Sequence, residues 1–93
     1  MIEYYEDIYK KLITKKGLEE QLGYFYEEMG ELLQAINKYK RANGRITKAN
    51  IFDEIVDVQI QLDILKIGYG ISPDTYSNIM FYKIQRIKEF IGD

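Results

Sequence analysis

Leu18, Leu22, Phe25, Met29, Leu32, Ile36 and Tyr39 follow one another at alternating steps of four and three. This spacing lays seven apolar side chains along one face of a continuous α-helix and does not fit the period of two of a half-buried strand. The same helical period runs through the rest of the chain. Ile2, Tyr5, Tyr9 and Leu12, with Ile8 beside them, predict a helix from about Ile2 to Lys16. It ends in Lys15-Lys16-Gly17, cations in the last turn and then glycine. The second helix runs from about Leu18 to Ala42 and stops at the turn Asn43-Gly44-Arg45. The third is expected from about Asn50 to Tyr69, with Thr47 or Asn50 as N-cap and Asp53 and Glu54 in its first turn. Gly68-Tyr69-Gly70 closes it, Ser72 caps the next helix and Pro73 opens it. That fourth helix carries Tyr76, Met80, Ile84, Ile87 and Ile91 on one face, with Lys83 and Arg86 flanking it. The expected fold is all-α: one domain over residues 1–93, a bundle of four antiparallel helices joined by short loops.

The third helix has two apolar stripes. Ile51, Ile55, Val58, Leu62, Leu65 and Tyr69 form one; Val56, Ile60, Ile64 and Ile67 form the other. A helix apolar on two sides is expected to be buried on two sides. The first stripe is expected to pack on the second helix. The other needs a cover that the single apolar stripes of the first and fourth helices supply only in part. A 93-residue chain also buries only somewhat more than ~60% of its unfolded surface. Both points predict a homo-oligomer, a dimer or a tetramer.

Between the two stripes lie Glu54, Asp57 and Gln61; on the second helix, Glu27, Glu28 and Glu31 fall within an arc of about 100° beside its apolar face. The pairs Glu28/Glu31 and Glu54/Asp57 each stand three residues apart, so each pair shares a helix face. One such pair alone is usually a solvated surface. Two pairs facing each other between apolar stripes repel, and need either a cation or raised pKa values. All-oxygen ligands suit Mg²⁺, Mn²⁺ or Ca²⁺. No EF-hand loop is present, and a di-iron Glu-x-x-His site needs histidine, of which there is none. Magnesium serving a phosphate-bearing ligand fits best, because Mg²⁺ completes its shell with water and phosphate oxygens. Gly30, among the acids, suggests that something approaches the backbone closely there.

The absence of Cys and His removes disulfides, zinc fingers, thiol nucleophiles and imidazole acid–base chemistry. A net charge of −2 offers no basic field for a nucleic-acid polymer or a membrane surface. No apolar run approaches ~18 residues, and the first residues have no signal-peptide pattern, so a cytoplasmic protein is expected.

Glu27-Glu28-x-x-Glu31-Leu32 followed by Glu54-x-x-Asp57 resembles the signature of the MazG-like all-α nucleoside triphosphate pyrophosphohydrolases. Gln21, a heptad before the first motif, the run Gln34-Ala35-Ile36-Asn37-Lys38-Tyr39 and the late Lys83-Ile84-Gln85-Arg86-Ile87 extend the likeness to a small bacterial and phage branch. It covers roughly Leu18 to Ile91. The resemblance implies Mg²⁺-dependent hydrolysis of a nucleoside triphosphate to the monophosphate and pyrophosphate, with Mn²⁺ as a substitute. It implies Glu28, Glu31, Glu54 and Asp57 as metal ligands, and Glu27 as the residue that orients the attacking water. Lys38, Lys83 and Arg86 are candidates to meet phosphate oxygens, with solvated helix cations as the alternative. Tyr24 and Tyr5 are candidates to stack on a base, although most of the nine tyrosines must serve packing. Two other functions stay open. Phosphoribosyl-ATP pyrophosphohydrolase shares the fold and the acidic motifs, but Asp57-Val58-Gln59-Ile60-Gln61 lacks that group's aromatic and histidine-bearing continuation. A helical interaction protein that binds nucleotide without turning it over is the other.

Overall fold

The computed structural model describes the backbone of residues 2–93 and the side chains from Tyr5 onward. The side chain of Ile2, first in the expected α1 stripe, lies outside the described residues. The chain folds into four helices, α1 (Ile2–Lys16), α2 (Leu18–Ala42), α3 (Ala49–Gly68) and α4 (Pro73–Ile91), with no strand among the described residues. No described helix is long and apolar enough to cross a membrane.

The breaks follow from local chemistry. Gly17 alone joins α1 to α2, at φ 86°, a left-handed conformation that glycine adopts without a Cβ clash. Asn43, also left-handed at φ 52°, ends α2. At the start of α4 the Ser72 hydroxyl accepts the Thr75 N–H at 3.1 Å and Pro73 takes the first helical position, as expected. The start of α3 differs from expectation. Lys48 holds the N-cap position without a side-chain cap, Asn50 is already helical, and Thr47 accepts the Ala49 N–H from one residue further out. Asp53 and Glu54 consequently fall beyond the first turn.

α2 and α3 form an antiparallel hairpin and make the main contact of the fold, with α1 laid against both. Gly68, at the end of α3, faces Leu18, at the start of α2: a Cβ on Gly68 would stand 2.5 Å from Leu18 Cδ1. At the other end, Ala35, Lys38 and Tyr39 of α2 border Ala49, Asn50 and Ile51 of α3. The core is small. Among the described apolar residues only Ala35, Val58 and Ile64 are buried, and Ile64 is 1% exposed.

The burial of α3 departs from the two-stripe expectation. In the stripe expected against α2, Val58 is buried, but Ile55 is 50% and Tyr69 68% exposed. The other stripe is better covered: Ile64 is buried and Ile60 and Ile67 are half-buried, while Val56 stays exposed. Among the described residues α4 packs along none of the other helices; only its first turn borders α1 and α3, where Lys66 Nζ sits 4.1 Å over the Tyr76 ring. The radius of gyration is therefore 16.5 Å, against about 12 Å for a compact chain of this length. Phe81, Tyr82, Ile84, Ile87 and Phe90 of α4 are all exposed.

Candidate functional site

Midway along the α2–α3 hairpin the two acidic pairs meet. Carboxylate oxygens of Glu28, Glu54 and Asp57 lie within 4.8 Å of one another, and all three residues are half-buried. Glu31 is exposed on the rim of this group, yet its charge acts on both Glu28 and Glu54. The hairpin thus brings together all four residues that the sequence nominates as ligands. Oε2 of Glu28 and Oε2 of Glu54 are enclosed, without a hydrogen-bond partner among the described residues.

The electrostatics follow. Partial burial, then the charges of Glu31, Asp57 and Glu54, push the Glu28 carboxyl up to about 7. Burial and the charges of Glu31 and Asp57 raise Glu54 as well. Every charge acting on these two groups is another carboxylate; no lysine or arginine contributes. Like charges gathered in low dielectric are relieved by protonation or by a cation. The oxygen-only donor set and the two unpartnered oxygens fit Mg²⁺ or Mn²⁺.

The remaining candidates are placed less closely. Glu27 is exposed beside Glu28. Tyr24 stands one turn before Glu28, exposed, its hydroxyl donating to Glu20 Oε1 at 3.4 Å. Lys38 returns to the face of Glu31 two turns on, about 10 Å along the axis, and lines a separate hollow of about 310 Å³. Lys83 and Arg86 are exposed on α4, which the chain does not bring to the acids. Tyr5 lies elsewhere, in a cleft of about 410 Å³ that it lines with Tyr9, Asp63, Lys66 and Tyr76. The close approach expected at Gly30 is not made within the chain: nothing stands within 4 Å of a Cβ built there.

Two residues acquire a significance that spacing did not give them. Gln21 is 1% exposed, and both its Nε2 and its Oε1 lack a partner among the described residues; Gln61, half-buried, has its Oε1 enclosed and likewise unpartnered among them. Their signal in the sequence was faint: Gln21 stands a heptad before Glu28, and Gln61 a heptad after Glu54.

Comparison with known proteins adds little. No family model matches the chain, and no solved structure matches it. Sixty-four residues, 69% of the chain, are 28% identical to part of a DNA mismatch repair protein MutS from Thermosipho melanesiensis, and the chain spans 8% of that protein's length.

Proposed function

We propose that the chain is a Mg²⁺-dependent nucleoside triphosphate pyrophosphohydrolase, releasing pyrophosphate and a nucleoside monophosphate. The observation that supports this reading best is the convergence of Glu28, Glu54 and Asp57 oxygens within 4.8 Å, with Glu31 on their rim. Glu28, Glu31, Glu54 and Asp57 would hold the metal, which when bound neutralises phosphate charge and lowers the pKa of a coordinated water. Glu27, exposed at the same turn of α2, would orient the attacking water. Lys38 is the basic residue of this chain that shares the face of the acids.

The working unit in this proposal is a homo-oligomer. The exposed apolar faces of α3 and α4, and the extended shape of the single chain, are the features that a second copy would cover. Lys83 and Arg86 could then serve a neighbour's acids. Sedimentation on dilution tests this; an active monomer defeats it.

The functional test is a pyrophosphate-release screen over nucleoside triphosphates, with and without Mg²⁺, on the wild type and on Glu54→Gln. Metal-dependent pyrophosphate release that disappears in Glu54→Gln is the expected result. Orthophosphate and a diphosphate as first products reject the assignment. Nucleotide binding without turnover makes the chain a nucleotide-binding protein instead.

A further inference from the structure

A cleft of about 410 Å³ lies between α1, the end of α3 and the first turn of α4. Tyr5 and Tyr9 of α1 and Tyr76 of α4 line it, and Glu6, Asp63 and Lys66 are its charged residues. On α3, Asp63 stands six residues after Asp57, about a third of a turn round the helix and about 9 Å along it. The cleft therefore opens on a different face of α3 from the carboxylate cluster. Its volume suits a small molecule, and aromatic walls with a few polar groups are how such sites are built.

The cleft already holds one cation. Lys66 Nζ pairs with Asp63 Oδ1 at 3.2 Å and stands 4.1 Å from the centre of the Tyr76 ring. Gln59 Nε2 donates to the same Oδ1 at 3.1 Å, so Oδ2 of Asp63 keeps no partner among the described residues. Glu6 makes a long, exposed contact of 3.6 Å with Lys10, a kind of pair that contributes little. The lining thus carries two carboxylates against one ammonium. Their field reaches the rings: burial first, then Asp63 and Tyr5, raise the Tyr9 hydroxyl, which stays neutral and donating. Ring faces are themselves negative and attract cations. An anionic ligand is disfavoured on both counts. Among cations, a planar delocalised one suits this lining better than the lysine. It is more weakly hydrated than an ammonium, stacks flat on a ring and offers parallel N–H donors to a carboxylate. The flexible, partly exposed stem of Lys66 lets its ammonium give way to solvent.

We propose that the cleft between α1, α3 and α4 binds a small planar organic cation of the amidinium or guanidinium class, which stacks on Tyr76 and donates to Asp63 in place of the Lys66 ammonium. The site is separate from the acidic cluster and does not rest on the metal-binding reading above.

The probe is benzamidinium, with benzamide as its neutral counterpart of nearly the same shape, each titrated into the protein and followed by backbone amide NMR. Benzamidinium should shift amides around Tyr9, Asp63 and Tyr76. Benzamide should bind about tenfold more weakly, the ratio that loss of one hydrogen bond to a charged group produces. Asp63→Asn should weaken benzamidinium by a similar factor and leave benzamide unchanged. Lys66→Met removes the competing cation, so benzamidinium should bind it about threefold more tightly, the scale of one half-exposed cation–π contact. Unchanged or weaker binding in Lys66→Met overturns the inference, because the lysine would then be a structural strut and not a placeholder. Equal affinity of the wild type for benzamide and benzamidinium overturns it too, since the cleft would then select a ring and not a charge. Shifts confined to residues around Glu28 and Glu54 overturn it by placing the cation on the acidic cluster. The absence of any shift at millimolar probe overturns it outright.

Discussion

Replacing Glu28 by glutamine removes one charge from the acidic cluster and changes its shape very little. In the folded chain the Glu28 carboxyl titrates at about 7, raised first by burial and then by Glu31, Asp57 and Glu54. In the unfolded chain it titrates near its ordinary value of 4.5. The folded state therefore holds this proton more tightly. Stability from it is complete below the unfolded value, and is lost as pH rises through the window from 4.5 to about 7. That interval sets a ceiling of about 3 kcal/mol. The groove is open on one side, and screening reduces the effect to about 1 kcal/mol. Glutamine cannot ionise, so Glu28→Gln without metal should be the more stable protein at pH 8. For a chain of this size the gain in melting temperature is about 4–8 °C. Most of it should vanish at pH 5, where folded Glu28 is already protonated. The assay is thermal unfolding followed by far-ultraviolet circular dichroism at both pH values, in chelator, repeated with excess Mg²⁺. With Mg²⁺ the order should invert, because only the wild type gains by mass action. A variant less stable at pH 8, or equally stabilised at both pH values, refutes the charge-crowding argument.

Mg²⁺ affinity of the wild type, measured by calorimetry, should strengthen as pH rises toward and past 7, with proton release on binding, because Glu28 must lose its proton to serve as a ligand. Ile64→Ala should destabilise the chain by about 2–5 kcal/mol in urea unfolding, because Ile64 is the most deeply buried apolar side chain described, whereas Leu33→Ala on the exposed face of α2 should change stability by less than about 0.5 kcal/mol. Gly30→Ala should stabilise α2 by about 0.5–1 kcal/mol, since nothing stands near its Cβ. If the same variant also loses metal-dependent hydrolysis, the close approach at Gly30 is made by substrate or by a second copy.

That Glu28 and Glu31, and Glu54 and Asp57, each share a helix face was legible because helix period and side-chain spacing are local properties; the structure gathers Glu28, Glu54 and Asp57. The bounds of α1 and α2 were legible for the same reason: Lys15-Lys16-Gly17 and Asn43-Gly44 carry their own stop chemistry, as Ser72-Pro73 carries its start. Once two helices of this length are joined by a short turn, antiparallel pairing follows, and it brings the acids to the middle of both. What α3 would bury was not legible. Two apolar stripes on one helix are equivalent in periodicity, and only packing chose between them. Ile64 became the most deeply buried apolar residue described while Ile55, Leu62 and Tyr69 stayed exposed. The enclosure of Gln21 was hidden likewise, because a glutamine beside an apolar stripe reads the same whether it lies at the surface or between helices. The course of α4 was decided furthest from the sequence. Its amphipathic face predicts a partner, but the Gly68–Pro73 connection sets its direction, and within one chain that direction carries Lys83 and Arg86 away from the carboxylates. Local spacing fixes which residues share a face; the rigid-body path of each helix, set by a few turn dihedrals and by packing, decides what that face meets.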